Sequence, residues 1–166
     1  MNELNLGILL AKNVDFVDSG NESSQISSIN DIFRTITINK DERAYFYIIA
    51  LVNGILNQNY YLNIFLETDG ENRKSMLHLG SSSILNNYTS DVNNKQIQLD
   101  YTNVIKVTTN FPKSGEYRLI GIICRDNFED INKEHKSNTL LKILEDKNYI
   151  CKNSIKFSVE YLNITN

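Results

Sequence analysis

The side chains of this 166-residue chain best suited to chemistry are two histidines, two cysteines and one cluster of carboxylates. His78 stands between Leu77 and Leu79, three positions ahead of Ser81-Ser82-Ser83, so a serine nucleophile with a histidine base is the first possibility to weigh. No Gly-x-Ser-x-Gly elbow occurs anywhere, and such an elbow is what lifts a serine clear of its strand in the commonest hydrolase arrangement. His78 is therefore expected to be an ordinary strand residue facing solvent, and His135, inside a charged stretch, a solvated one. No catalytic residue is assigned.

Asp126, Glu129 and Asp130 are close enough to act as paired acids and bases, or to gather oxygen ligands for calcium together with Asp15 and Asp18. EF-hand spacing is missing, so no metal is expected, and the three acids are carried forward as candidate binding residues on a surface loop. Cys124 and Cys151 each follow β-type apolar residues and are expected to be reduced, mostly buried thiols; neither histidine lies at zinc-ligand spacing from them. The seven glycines are scattered and form no phosphate-binding loop, so no cofactor is expected. Nine tyrosines offer stacking surfaces, but the basic residues that nucleic acid would require are not interleaved with them. Tyr88, set among Asn and Ser in a long polar stretch, has the composition of an adaptable recognition loop and joins the binding candidates.

Composition bounds what must position these groups. Hydrophobic residues make up 41% and charged residues 22%, enough apolar material for one core in a single domain spanning 1–166. A net charge of −3 is too balanced for a nucleic-acid-binding surface, and no apolar run is long enough for a transmembrane helix. The first residues include Glu3 and lack the basic start of a secretory signal, so the expected compartment is the cytoplasm. Heavy use of Asn, Ile and Lys, with one Pro and no Trp, fits an AT-rich bacterial or viral genome.

Hydrophobicity alternates with period two more often than with the helical period, which predicts strands. Leu4 to Ala11 is the first, followed by a polar connection from Asp15 to Asn21. Gln25 to Phe33, Thr35 to Ile38, Tyr45 to Val52, Tyr60 to Thr68 and Arg73 to Leu79 follow, with Asp69-Gly70 as the strongest hairpin signal. Gly80 to Asn94 reads as a long loop, and strands resume at Gln96 to Thr109 and Glu116 to Cys124. Arg125 to Lys136 reads as a solvated excursion. Within Ser137 to Lys147 a strand is preferred, with a short helix over about 137–148 as the alternative. Ser154 to Tyr161 closes the chain as a strand, either at a sheet edge, where it would pair with another copy, or inside the sheet. Eight or nine strands with no repeated helix predict an all-β antiparallel sandwich.

Ile8-Leu9-Leu10-Ala11, a polar gap ending near Gly20, Ile26 to Ile29 and the run Asp31 to Ile36 make a recurring pattern. With Tyr61 to Ile64 leading to Asp69-Gly70, and Gly115 to Leu119, it resembles a family of small uncharacterised bacterial and prophage proteins. The resemblance implies a β-sandwich and no known activity. The chain departs from the family in having Gly20-Asn21 where Gly-Lys is usual, in lacking a Gly before Phe33, and in inserting 125–136.

The expected function is a non-enzymatic interaction module whose loops or sheet edge bind a protein partner or a second copy. Two alternatives stand beside it. One is a phage-encoded inhibitor of a bacterial defence system, acting in the host cytoplasm on an effector or a small signal molecule. The other is a hydrolase of unknown substrate.

Overall fold

In a computed structural model the described residues are 3–18, 24–56, 59–69, 74–84 and 97–162. They form nine strands and one helix: β1 (Glu3–Asp18), β2 (Ser24–Ile32), β3 (Thr35–Ile38), β4 (Arg43–Leu56), β5 (Tyr61–Asp69), β6 (Lys74–Ser83), β7 (Ile97–Asn110), β8 (Gly115–Cys124), α1 (Lys133–Glu145) and β9 (Cys151–Tyr161). The strands make two sheets, β2-β1-β4-β7 and β3-β9-β8-β5-β6, packed as a β-sandwich.

Alternation along the strands builds the core between the sheets. Leu6, Ile8 and Leu10 of β1 and Phe46, Ile48 and Val52 of β4 meet Leu62, Ile64 and Leu66 of β5, Leu119 and Ile123 of β8, and Phe157 and Val159 of β9. The sandwich is stitched along both sides. Asn153 donates through Nδ2 to the Leu6 carbonyl at 2.6 Å, tying β9 to β1. On the other side Ser82 and Tyr101 bond at 2.8 Å, and Asn103 donates to both, tying β6 to β7.

Each sheet also has apolar residues on its outer face. On the five-stranded sheet Phe65, Ile120, Ile122 and Cys124 are covered by Phe128, Leu140 and Ile143, from the connection after β8 and from α1. On the four-stranded sheet Leu9, Ala11, Tyr47, Ile49 and Val104 cluster with Val14, Ile26 and Ile29, which the far half of the β1–β2 hairpin brings to them.

Several expectations are corrected. Residues 137–148 contain no strand, because α1 covers Lys133–Glu145. Leu140, Ile143 and Leu144 lie three and four apart on the helix and face the sheet, whereas Leu141 stays exposed. The helix stops with Lys147 in a left-handed conformation, φ 54°, and the Asn148 N–H bonding back to the Ile143 carbonyl at 3.0 Å. Asp15 to Asp18 are not a connection but the outer part of β1, paired with Ser24 to Ser28 across a bulge. Gly80 to Ser83 belong to β6 rather than to a loop. The stretch 125–136 is not wholly solvated, since Phe128 is fully buried in it.

The closing strand is antiparallel to β8 over Cys151 to Val159, and only its end, Ser158 to Tyr161, runs parallel to β3 on the other side. At Ser158 and Val159 both sides of the strand are thus taken within the chain, and the sandwich is antiparallel except for the β3–β9 pair. Among the described residues no helix is long and apolar enough to cross a membrane.

Candidate functional site

A polar constellation grows from Asn63, fully buried near the start of β5. Tyr61-Leu62-Asn63-Ile64-Phe65 puts one amide among apolar neighbours, and its hydrogen-bonding capacity has to be met from within the protein. The Nδ2 group donates to the Asp126 carbonyl at 3.0 Å, the Tyr61 carbonyl at 3.3 Å and the Cys124 sulfur at 3.4 Å. Its Oδ1 accepts from the Phe128 N–H at 3.2 Å and from the Ser81 hydroxyl.

His78 extends this network. Its Nε2 lies 2.9 Å from Ser81 Oγ and its Nδ1 3.0 Å from Lys136 Nζ on α1, while its ring packs on Phe65 and Phe128. A lysine ammonium has only donors, so Nδ1 is the acceptor and the ring proton sits on Nε2, directed at Ser81. Ser81 in turn donates its hydroxyl hydrogen bond to Asn63 Oδ1. A hydrolytic triad needs the reverse: an unprotonated Nε2 to take the serine proton, and a carboxylate at Nδ1 to hold the resulting charge. The serine and histidine do meet, but in a wiring that fastens β5, β6, α1 and the connection after β8 together. His78 is half-buried, on the wall of a cleft of about 650 Å³ that Lys136 and Ser137 also line.

Burial lowers the His78 pKa from 6.5, and the Lys136 charge lowers it further, against an opposing pull from Glu129. A histidine held neutral in the fold contributes stability that is complete above the unfolded value and falls away as pH drops below it. Urea midpoints are therefore expected to fall between about pH 7.5 and about pH 5, and to fall less in His78→Gln. Equal falls in both proteins would remove His78 as the cause.

The sequence candidates separate. Glu129 Oε1 accepts from the Ser81 N–H at 3.2 Å, tying the connection after β8 to β6, and Asp130 Oδ2 accepts from Asn127 Nδ2 at 2.9 Å within that connection. Asp126 lines a different feature, a cleft of about 570 Å³ shared with Arg125, Lys147 and Tyr149. The three acids thus form no common site. Among the described residues no three His, Cys, Asp or Glu side chains are grouped as a metal would need. Tyr88 lies outside the described residues.

Both cysteines are free thiols, Cys124 buried and Cys151 half-buried. Burial pushes the Cys124 thiol up to about 11 and raises Cys151 as well. Since only thiolate is alkylated at an appreciable rate, native protein treated with iodoacetamide near neutral pH is expected to label slowly, Cys151 before Cys124. Fast labelling of Cys124 without unfolding would contradict its burial.

A second opening lies where the chain crosses from β2 to β3. It is a cleft of about 370 Å³ lined by Phe33, Ile36, Ile38 and Ala44, with Lys12, Glu42, Arg43 and Tyr45 among the residues around them. Glu42 Oε2 already accepts from the Asn39 N–H at 3.0 Å and from its side chain at 2.9 Å. Sequence reasoning missed this cleft, because its lining comes from three segments whose neighbourhood depends on the crossover.

No family model matches the chain, and no curated protein sequence matches it. Among solved structures it is similar to a CARDB domain from Pyrococcus furiosus in complex with di-metal ions, at 8% identity and a TM-score of 0.41, over 98% of this chain and 96% of that one. It is also similar to a β-glucosidase from Listeria innocua in complex with isofagomine, at 6% identity and a TM-score of 0.42, 98% of this chain corresponding to 17% of the enzyme. The sandwich assignment rests on the strand pairing and not on these likenesses. None of them bears on the resemblance to small bacterial and prophage proteins.

Proposed function

We propose that the chain is a non-enzymatic protein-interaction module that receives another polypeptide on the side of the sandwich where β2 crosses to β3. The observation that carries this reading is the pairing of a lined cleft with exposed apolar side chains. Tyr45, on the cleft, is 65% exposed, and Ile32, next in sequence to Phe33, is 60% exposed. These are the two most exposed large apolar residues among those described, and water is a poor environment for both. The His78 network supports the same reading, because its proton arrangement leaves Ser81 without a base. Two free thiols suit a reducing compartment such as the cytoplasm.

The test sets binding against turnover. A displayed random-peptide library is expected to yield sequences enriched on the wild-type protein and not on an Ile32→Arg/Tyr45→Arg variant with an unchanged circular dichroism spectrum. Failure to enrich any peptide would overturn the reading. So would esterase, phosphatase, nuclease or glycosidase turnover that disappears in His78→Ala.

A further inference from the structure

We infer that β3 is a docking edge to which an extended acidic peptide adds as a further strand, its alternate side chains entering the cleft beside it. This deepens the interaction reading and rests on it. β3 is the edge strand of the five-stranded sheet, and among the described residues nothing pairs with its outer side. The Ser158 N–H donates to the Arg34 carbonyl at 2.8 Å and the Leu162 N–H to the Ile38 carbonyl at 2.9 Å. In a parallel pair the bonding residues alternate, so Arg34, Ile36 and Ile38 direct their backbone groups at β9. Thr35 and Thr37 direct theirs outward. Both threonines are exposed, whereas Ile36 and Ile38 are buried. Outward donors and acceptors at Thr35 and Thr37, beside a cleft lined by both apolar and charged side chains, are the arrangement that β-augmentation uses, with backbone bonds supplying affinity and pockets for alternate side chains supplying selectivity.

The occupant's charge follows from the lining. Lys12 and Arg43 stand against the single carboxylate of Glu42, which is engaged with Asn39, so the cleft has an excess of positive charge in a protein whose net charge is −3. Acidic residues on the added strand would be matched there. A second copy adding through its own β3 would bring Lys12 and Arg43 against their counterparts, and is disfavoured for that reason.

The probe is a fluorescein-labelled peptide of about eight residues alternating valine and glutamate, compared by anisotropy with its valine–lysine counterpart. The glutamate peptide is expected to bind and the lysine peptide not. Thr37→Pro removes an outward N–H while sparing the bonds to β9, and should weaken binding about tenfold or more. Lys12→Glu/Arg43→Glu should reverse the preference between the peptides. A peptide N-methylated at alternate residues removes the same bonds from the other side and should also fail, which covers the case of a Thr37→Pro protein that does not fold.

Equal binding of the two peptides, or binding indifferent to both Thr37→Pro and N-methylation, would overturn strand addition. A dimer that Thr37→Pro dissolves would overturn the acidic peptide as occupant. In either case library peptides lost on the Ile32→Arg/Tyr45→Arg variant would leave the interaction reading standing, so the two failures are distinguishable.

Discussion

Asn63→Ala is expected to lower stability by about 3 kcal/mol, since it strips partners from several groups at once. The Phe128 N–H, the Ser81 hydroxyl and the Asp126 carbonyl all meet this one amide. Each buried polar group left unsatisfied costs roughly 1–3 kcal/mol, and an alanine leaves no room for all of them to find water. Asn63→Leu should be no better, because filling the volume restores no hydrogen bond. The measurement is the urea midpoint followed by circular dichroism, together with the alkylation rate of Cys124, which touches the same amide at 3.4 Å. A loss below about 1 kcal/mol would show that the network is not a fastening.

The second large effect belongs to Gly121, in β8 at a point where the two sheets lie close. A Cβ there would stand 2.8 Å from Ile8 Cδ1, 3.1 Å from Leu6 Cδ2 and 3.2 Å from Ile64 Cδ1. Ile8 is buried and Ile64 fully so, which leaves their ends little space into which to withdraw. Gly121→Val is expected to cost about 3 kcal/mol through overpacking. Adding Ile8→Ala should recover part of that loss, since each substitution relieves the other's misfit, and purely additive losses would sink the explanation.

The legible parts of this molecule are those written into neighbouring residues. Thr35 to Ile38, Ser154 to Tyr161 and the inner half of β1 alternate with period two, and the structure buries the faces that this alternation marks. Asp69-Gly70 marks a hairpin, and Asp69 does pair with Lys74 across it. The helix is harder to read. Leu140 and Leu141 are adjacent apolar residues that a strand would place on opposite faces, and only the uncovered outer face of the second sheet, with Phe65 and Ile122, decides for a helix.

The Asn63 network is out of reach for another reason. Its members come from β5, β6, the connection after β8 and α1, so no local spacing joins them. One signal is present in the chain itself: a lone amide inside an apolar strand run needs partners, and that need alone singles out Asn63. Asp126, Glu129 and Asp130 mislead in the opposite direction, because proximity in sequence suggests a shared site. Two of the three satisfy groups within or beside their own loop.

The place of β9 has a consequence for how the chain is made. Ile36 pairs with Val159, and Tyr117 pairs with Phe157, so one late segment joins an early strand to a middle one. A ribosome that has released everything through Cys124 therefore holds a second sheet in two unjoined parts, β3 on one side and β8-β5-β6 on the other. Until Cys151 to Tyr161 emerge, the side of β8 that β9 will occupy is open to any passing strand. The nascent chain thus has a vulnerable interval that the finished protein lacks, and a long-range join of this kind closes slowly.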